Sequence, residues 1–134
     1  MDRVTQVIES VIVGVFISLM GGVDLLLKVF LIIILLDMLT GILKSMHQGK
    51  YNSSKFREGL YRKSAYFIAI ILVVQLDKLT GNTGTFRSIL MTFMVGNEMI
   101  SIIENLGQMG VPFPKKIISA IEVLKNKDED IKTE

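Results

Sequence analysis

The chain has 134 residues, 50% of them hydrophobic, and a net charge of +2 at pH 7. Its mean hydropathy is strongly positive, and a soluble domain this small needs more charged residues to cover its surface. The sequence contains no cysteine and a single histidine. This excludes disulfide frameworks, thiolate metal sites and most histidine-based catalytic schemes, and we expect neither a metal site nor a cofactor. The composition therefore predicts an integral membrane protein.

Four hydrophobic segments follow one another along the chain, and the last three reach the roughly 17 to 25 residues that a membrane-spanning helix needs. The first is shorter, because Glu9 leaves only residues 10–20 free of charge. It is either a span whose glutamate a neighbouring helix shields, or an interfacial segment, and we expect it to be retained rather than cleaved. The sequence predicts an all-α membrane protein with about four transmembrane helices in a small bundle. The segments cover residues 4–20, 24–43, 64–80 and 86–106.

Basic residues are concentrated in the loop 44–63 and after the fourth segment, whereas the short turns at 21–24 and 81–85 contain none. Under the positive-inside rule, the basic loop and the carboxy-terminal region lie in the cytoplasm. With four spans, the amino terminus is cytoplasmic as well. The basic residues that set this orientation at the membrane surface are Lys44, Lys50, Lys55, Arg57, Arg62, Lys63, Lys115 and Lys116.

The pattern divides the chain into a transmembrane domain, residues 1–106, and a cytoplasmic region, residues 107–134. Asn52 is a good N-cap for a helix that continues into the third span. Pro114 is suited to the first position of a short amphipathic helix, which a charged tail follows. This helix either lies on the inner leaflet, where its lysines meet anionic lipid, or packs on the cytoplasmic ends of the bundle.

Six polar residues near the end of the fourth segment fall on one face of a helix with 3.6 residues per turn. Carboxylates and carboxamides are unfavourable toward lipid, so this polar stripe is expected to face water or other helices. It predicts either a pore lining or a helix-contact surface. The polar stripe consists of Asn97, Glu98, Ser101, Glu104, Asn105 and Gln108.

Three further polar residues, Asp37, Gln75 and Asp77, lie within the hydrophobic segments. Groups of this kind often tie helices together, at roughly 0.5 to 2 kcal/mol per contact. By the helical rise, Gln75 lies at the depth of Glu98, and we expect a hydrogen bond between them. The two aspartates lie near opposite faces of the membrane and are not partners. Their candidate partners are Arg62 or Lys63 for Asp37, and Lys78 or Arg87 for Asp77.

Two blocks near the carboxy end resemble the signature of the toxin-secretion/phage-lysis holins, bacteriophage holin family 4. They are residues 97–107, Asn-Glu-x-x-Ser-Ile-Ile-Glu-Asn-Leu-Gly, and residues 110–116, Gly-Val-Pro-Phe-Pro-Lys-Lys. Residues 36–41 and 59–63 are similar to other blocks of that family, in the same order and spacing. The resemblance covers the chain from about residue 21 to 124.

The resemblance implies a holin that accumulates in the bacterial cytoplasmic membrane and assembles with copies of itself into lesions, which time host cell lysis. An endolysin, or in some hosts a large toxin, leaves through the lesion. The sequence contains no enzyme signature, and topology explains the basic loop better than nucleic-acid binding does. Two alternatives stay open: a small ion channel or transporter subunit with Glu98 and Asp37 as ion sites, and a non-conducting scaffold or antiholin-like regulator.

Overall fold

The computed structural model describes residues 2–126, and these residues form five α-helices and no strand. The all-α class predicted from the sequence is thereby confirmed. The predicted charged tail, residues 127–134, lies outside the described residues. The helices are α1 (Arg3–Leu19), α2 (Leu25–His47), α3 (Ser53–Thr80), α4 (Thr85–Gln108) and α5 (Lys115–Asn126).

Three of these helices, α2, α3 and α4, are long and apolar enough to cross a membrane. They contain 23, 28 and 24 residues and take in the second, third and fourth predicted segments. The first segment forms α1, which has 17 residues and is not among the three. Glu9 is exposed on α1, so no helix of the described chain shields it. A fourth span at α1 therefore stays a prediction.

Polar side chains at the starts of the helices satisfy backbone N–H groups that have no partner within the helix. Asp24 accepts from Leu27 N at 2.9 Å at the start of α2. Asn52 accepts from Ser54 N at 2.8 Å, and α3 runs unbroken from this cap into the third span, as the sequence predicts. The last helix begins at Lys115, one residue later than predicted.

The hydrophobic core lies in the half of the bundle on the side of the short turns, where α4 packs against α2 and α3. Phe67 links the helices there. Its ring centroid lies 5.7 Å from that of Phe16 and 5.8 Å from that of Phe30, distances that suit tilted and edge-to-face aromatic contacts. The largest fully buried side chains are Met20, Phe30, Ile70 and Met91.

In contrast to the bundle, α1 has no buried residue. All its large apolar side chains except Ile17 are 40% to 67% exposed, from Leu19 to Val4. It meets the core chiefly through the Phe16–Phe67 contact and the buried Met20 at its end. An apolar surface of this extent needs lipid or another protein chain to cover it.

The last helix folds back along the side of α4, where the backbone of α5 comes close to Gly96. A Cβ atom at Gly96 would lie 3.0 Å from Lys125 N and 3.1 Å from Leu124 Cβ. The structure thus supports the predicted packing of α5 on the bundle, and its contact with the inner leaflet stays a prediction. It packs along α4 and not only at the end of the bundle.

Replacing Gly96 by a larger residue should displace α5. The chain contains no cysteine, so Leu124→Cys supplies one thiol on the half-buried face of α5. We expect Gly96→Leu to increase maleimide labelling of that thiol several-fold, because the new side chain occupies the space of the α5 backbone. Gly107→Leu is the matched control, since a Cβ there meets nothing within 4 Å. Equal labelling in both variants would contradict the close packing.

Candidate functional site: a buried ionic cluster

One buried ionic cluster joins the three membrane-length helices. The Lys63 ammonium of α3 lies between Asp37 of α2 and Glu98 of α4. Its Nζ atom is 2.6 Å from Asp37 Oδ2 and also donates to Glu98 Oε2. These three residues are only 4%, 7% and 2% exposed, respectively. Because each helix contributes one charged group, the cluster holds all three helices at one level.

The other carboxylate oxygens of the cluster also accept hydrogen bonds. The Tyr66 hydroxyl donates to Glu98 Oε1 at 2.9 Å. The Asn105 amide donates to Asp37 Oδ1 at 3.5 Å and to Thr40 Oγ1 at 3.1 Å. Both carboxylates are therefore held at both of their oxygens. We call this group the inner cluster: Asp37, Thr40, Lys63, Tyr66, Glu98 and Asn105.

The inner cluster sets two carboxyl groups against one ammonium group in a low-dielectric setting. An unpaired charge there is very costly, whereas paired and hydrogen-bonded charges roughly offset their desolvation. In residues 2–126, every buried side-chain nitrogen and oxygen has a hydrogen-bond partner. A single chain thus satisfies its own buried polar groups.

Four residues of the polar stripe face the neighbouring helices. Glu98 and Asn105 belong to the inner cluster, and Ser101 lines a cleft beside it. Gln108, one turn further along, accepts from Gln48 Nε2 at 3.2 Å. Within one chain, these residues form a helix-contact surface. Their second predicted role, as the lining of a pore, stays a prediction.

The other two stripe residues lie at the margin of this face: Asn97 is half-buried and Glu104 is exposed. The expected hydrogen bond between Gln75 and Glu98 is wrong. Gln75 donates at 3.5 Å to the carbonyl of Ile71 in its own helix. Glu98 accepts instead from Lys63, because a hydrogen bond between charged groups is stronger than one from a neutral amide.

A second polar group lies at the opposite end of the bundle and is centred on Arg87, which is 6% exposed. Its Nη1 and Nη2 atoms donate to the two carboxylate oxygens of Asp24, at 2.6 and 3.1 Å. Its Nε atom donates to the Met20 carbonyl at 2.7 Å. The close approach needs a glycine: a Cβ at Gly21, where φ is +88°, would lie 2.7 Å from Arg87 Nε.

Asp77 completes this second group from α3. Its carboxylate accepts from the backbone N–H groups of Phe86 and Arg87, both at 2.9 Å, and so caps α4 from a neighbouring helix. The sequence predicts Arg87 as a partner, which is correct for the residue, but the contact is to its backbone and not to its guanidinium. The outer cluster is Asp24, Asp77, Arg87 and the carbonyls of Met20 and Gly22.

Sequence reasoning missed the pair of Arg87 with Asp24, although a signal for it exists. Asp24 stands in a turn without a basic residue, and Arg87 is the only cation in the fourth hydrophobic segment. The hydrogen bond from Arg87 is the largest influence on the Asp24 carboxyl and lowers its pKa below the ordinary value of 3.8. Partial burial opposes this effect, and the N–H of Leu27 reinforces it.

The basic residues predicted to lie at the membrane surface differ in their exposure. Lys63 is buried in the inner cluster, which corrects its assignment to the surface and confirms its expected contact with Asp37. The others remain accessible, with Lys44 half-buried and the following exposed: Lys50, Lys55, Arg57, Arg62, Lys115 and Lys116.

The sequence of the chain matches the model of a known protein family. A model described as the bacteriophage holin family matches residues 14–126. The chain belongs to this family. The matched range includes all three membrane-length helices, the whole inner cluster and the whole of α5. Membership of the holin family, together with three membrane-length helices, indicates a membrane protein.

Individual relatives of this holin-family chain are similar over most of their length. An uncharacterized 14.9 kDa protein of Clostridium perfringens is 35% identical over 113 residues, 84% of this chain and 86% of the relative. The uncharacterized protein YqxH of Bacillus subtilis is 35% identical over 116 residues, with 85% and 81% covered. A protein of Bacillus phage phi105 named a probable holin is 31% identical over 108 residues, with 81% and 79% covered. No solved structure matches the chain.

Removing the lysine of the inner cluster should destabilise the bundle strongly. Lys63→Met leaves two buried carboxylates without their cation, and we expect a loss of about 3 to 5 kcal/mol in the free energy of unfolding. Denaturant titration in detergent, followed by circular dichroism, measures it. Lys78→Met, an exposed lysine on the same helix, should change the free energy by less than about 0.5 kcal/mol. Similar losses in both variants would show that the pairing of Lys63 does not stabilise the bundle.

The outer cluster should respond to acid only at low pH. The pKa of Asp24 is lowered in the folded chain, so the stability that Asp24 contributes is fully present above about pH 3.8. It is lost as the pH falls through the lowered folded-state pKa. Wild type should therefore be more stable than Asp24→Asn at pH 7, and the difference should shrink below pH 3.8. A difference that declines already between pH 7 and 5 would contradict this assignment.

Proposed function

We propose that this holin-family chain assembles with copies of itself in the bacterial cytoplasmic membrane into lesions that time host cell lysis. The cargo is an endolysin, or in some hosts a large toxin, that passes through the lesion as a folded protein. The observation that carries the proposal is the inner cluster: three membrane-length helices hold Asp37, Lys63 and Glu98 at one level. The name of the phage relative, a probable holin, supports it.

The first step is accumulation without damage. Since the buried polar atoms of residues 2–126 are satisfied within one chain, a single subunit needs neither water nor a partner at its centre. Its outward apolar residues, such as Leu35 at 66% and Leu72 at 68% exposed, suit contact with lipid. The closed single subunit can therefore accumulate in the membrane without forming a lesion.

The second step is the exchange of intramolecular ion pairs for water. Buried ion pairs contribute little net stability because desolvation offsets their attraction. When subunits surround a shared aqueous lumen, water solvates Lys63 and the two carboxylates, so separating the helices carries a small penalty. The α4 face that carries Glu98, Ser101 and Asn105 then lines the lumen.

Contact between subunits needs a surface, and α1 provides one. No residue of α1 is buried, and its apolar side chains are widely exposed. Another copy can cover this surface and shield Glu9 at the same time. Assembly through such contacts depends on protein concentration, which gives a threshold for lesion formation.

The proposed orientation follows the distribution of basic residues. The loop between α2 and α3 and the connection from α4 to α5 lie on the cytoplasmic side of the membrane. The inner cluster then lies toward the cytoplasmic face and the outer cluster toward the opposite face. With α1 as a fourth span, the amino terminus is cytoplasmic too, and residues 1–106 form the transmembrane domain.

Release from liposomes tests the proposal against its alternatives. Purified chain is reconstituted into vesicles that contain a small dye and a folded enzyme, at increasing ratios of protein to lipid. We expect release of both above a threshold ratio. Flux of ions alone identifies a narrow channel or transporter subunit, and vesicles that stay tight identify a scaffold or antiholin-like regulator. Either of those results overturns the holin proposal.

Variants of α4 separate a lumen-facing role from a merely exposed one. Glu98→Leu removes the second carboxyl and leaves Lys63 paired with Asp37. The positive and negative charges of the closed cluster are then equal in number, and the lumen loses one carboxylate. We expect enzyme release to slow by at least about tenfold, equivalent to about 1.4 kcal/mol.

Glu104→Leu is the matched control, because Glu104 is an exposed glutamate on the same helix. It should leave the rate of enzyme release within about twofold of wild type, consistent with the small effects of exposed substitutions. Equal slowing by both variants, or no slowing by Glu98→Leu, would mean that the inner-cluster face of α4 does not line the lesion.

A further inference from the structure

A cleft of about 250 Å³ opens at the end of the bundle where α2 and α3 are joined. Its walls come from the last turns of α2, the connection at residues 50–52 and the first eleven residues of α3. On its inner side it reaches Ser101 and Asn105 of α4, beside the inner cluster. The cleft therefore leads from the surface to the charged centre of the bundle.

The cleft is strongly basic. The one carboxylate that lines it, Asp37, is already paired with Lys63. In the part of the chain that the structure describes, the ion pairs are those of Lys63 and Arg87, so the other cations of the cleft have no acidic partner there. The amino-terminal end of α3 adds its partial positive charge. The basic residues of the cleft are Lys44, Lys50, Lys55, Arg62 and Lys63.

Part of the cleft lining is apolar and comes from both α2 and α3: Met38, Ile42, Phe56 and Leu60. The helix surface next to it, at Leu43, is 46% exposed and suited to contact with lipid. The cleft thus sets a group of cations directly beside a hydrocarbon-facing surface. That combination matches a ligand with an anionic head and an apolar body.

We propose that this cleft binds the phosphodiester headgroup of an anionic membrane phospholipid, with the acyl chains along the adjoining apolar surface of α2. Basic pockets between membrane helices recognise anionic headgroups in this way. The volume is below the roughly 300 to 1,000 Å³ of sites that enclose a whole small molecule, which favours a headgroup over an organic cofactor. Free phosphate would make no use of the apolar lining. The site is independent of whether the chain forms lesions.

Lipid retention by the full chain in detergent tests the proposal. Native mass spectrometry counts bound lipid after mixing with phosphatidylglycerol or with phosphatidylcholine of the same acyl chains. We expect one phosphatidylglycerol to bind, with clear preference over phosphatidylcholine. Lys50→Gln combined with Lys55→Gln should weaken that binding roughly 10- to 30-fold, because each basic group near an anionic lipid surface strengthens binding roughly three- to fivefold.

Two control variants separate the cleft from general positive charge. Lys115→Gln with Lys116→Gln removes the same charge from exposed positions on α5 and should leave binding unchanged. Lys50→Arg with Lys55→Arg keeps the charge and should keep binding, and circular dichroism checks that each variant folds. Equal loss from the α5 pair and the cleft pair, or no preference of wild type for phosphatidylglycerol, overturns the proposal. Displacement of the lipid by millimolar inorganic phosphate would instead identify a site for free anions and overturn the lipid assignment.

Discussion

The Lys63 ammonium lies between carboxyl groups of two other helices, and the arrangement of the bundle depends on this position. Asp37, Lys63 and Glu98 come from three separate helices, so none of them can turn away without leaving a buried charge unpaired. In lipid such a loss is expensive, whereas the intact arrangement contributes little net stability. This asymmetry fixes the register of the helices in a membrane, which offers no hydrophobic driving force between them. It still permits separation when water can reach all three groups together.

The fourth helix connects the two polar groups of the molecule. Near its start, Arg87 belongs to the outer cluster, and eleven residues later Glu98 belongs to the inner cluster, a separation of about 16 Å along the axis. Between them, Met91 and Met94 pack in the apolar core. α4 therefore meets each of the other membrane-length helices and α5 as well, and any rearrangement of this holin-family chain has to involve it.

Hydrophobic length predicted the three membrane-length helices, and the cap at Asn52 marked a helix start correctly, because these features depend on local sequence. The inward face of the polar stripe was also predictable from helical periodicity. The contacts of Glu98 were not. Helical rise gives depth but not rotation, and Gln75 at a suitable depth turns out to bond within its own helix. Lys63 stands at the end of a basic loop, and its sequence context is the same as that of the other basic residues there. Only the packing of three helices shows that Lys63, alone among the basic residues assigned to the membrane surface, is buried. The packing of α5 along α4 depends on Gly96, because a side chain there would meet the α5 backbone. The sequence gives no sign of this contact, since it joins residues of two different helices.

The guanidinium of Arg87 has a mechanical consequence for the first helix. Besides Asp24, it donates to the carbonyl oxygens of Met20 and Gly22, on either side of Gly21 in the turn between α1 and α2. The orientation of α1 is thus coupled to the fourth helix through the Arg87 guanidinium and the buried Met20, and not through a broad packed interface. A tilt of α1 in the bilayer therefore either moves the beginning of α4 or breaks the hydrogen bonds of Arg87. The position of α1, which is loosely packed, is in this way coupled to that of α4, which packs against the other helices.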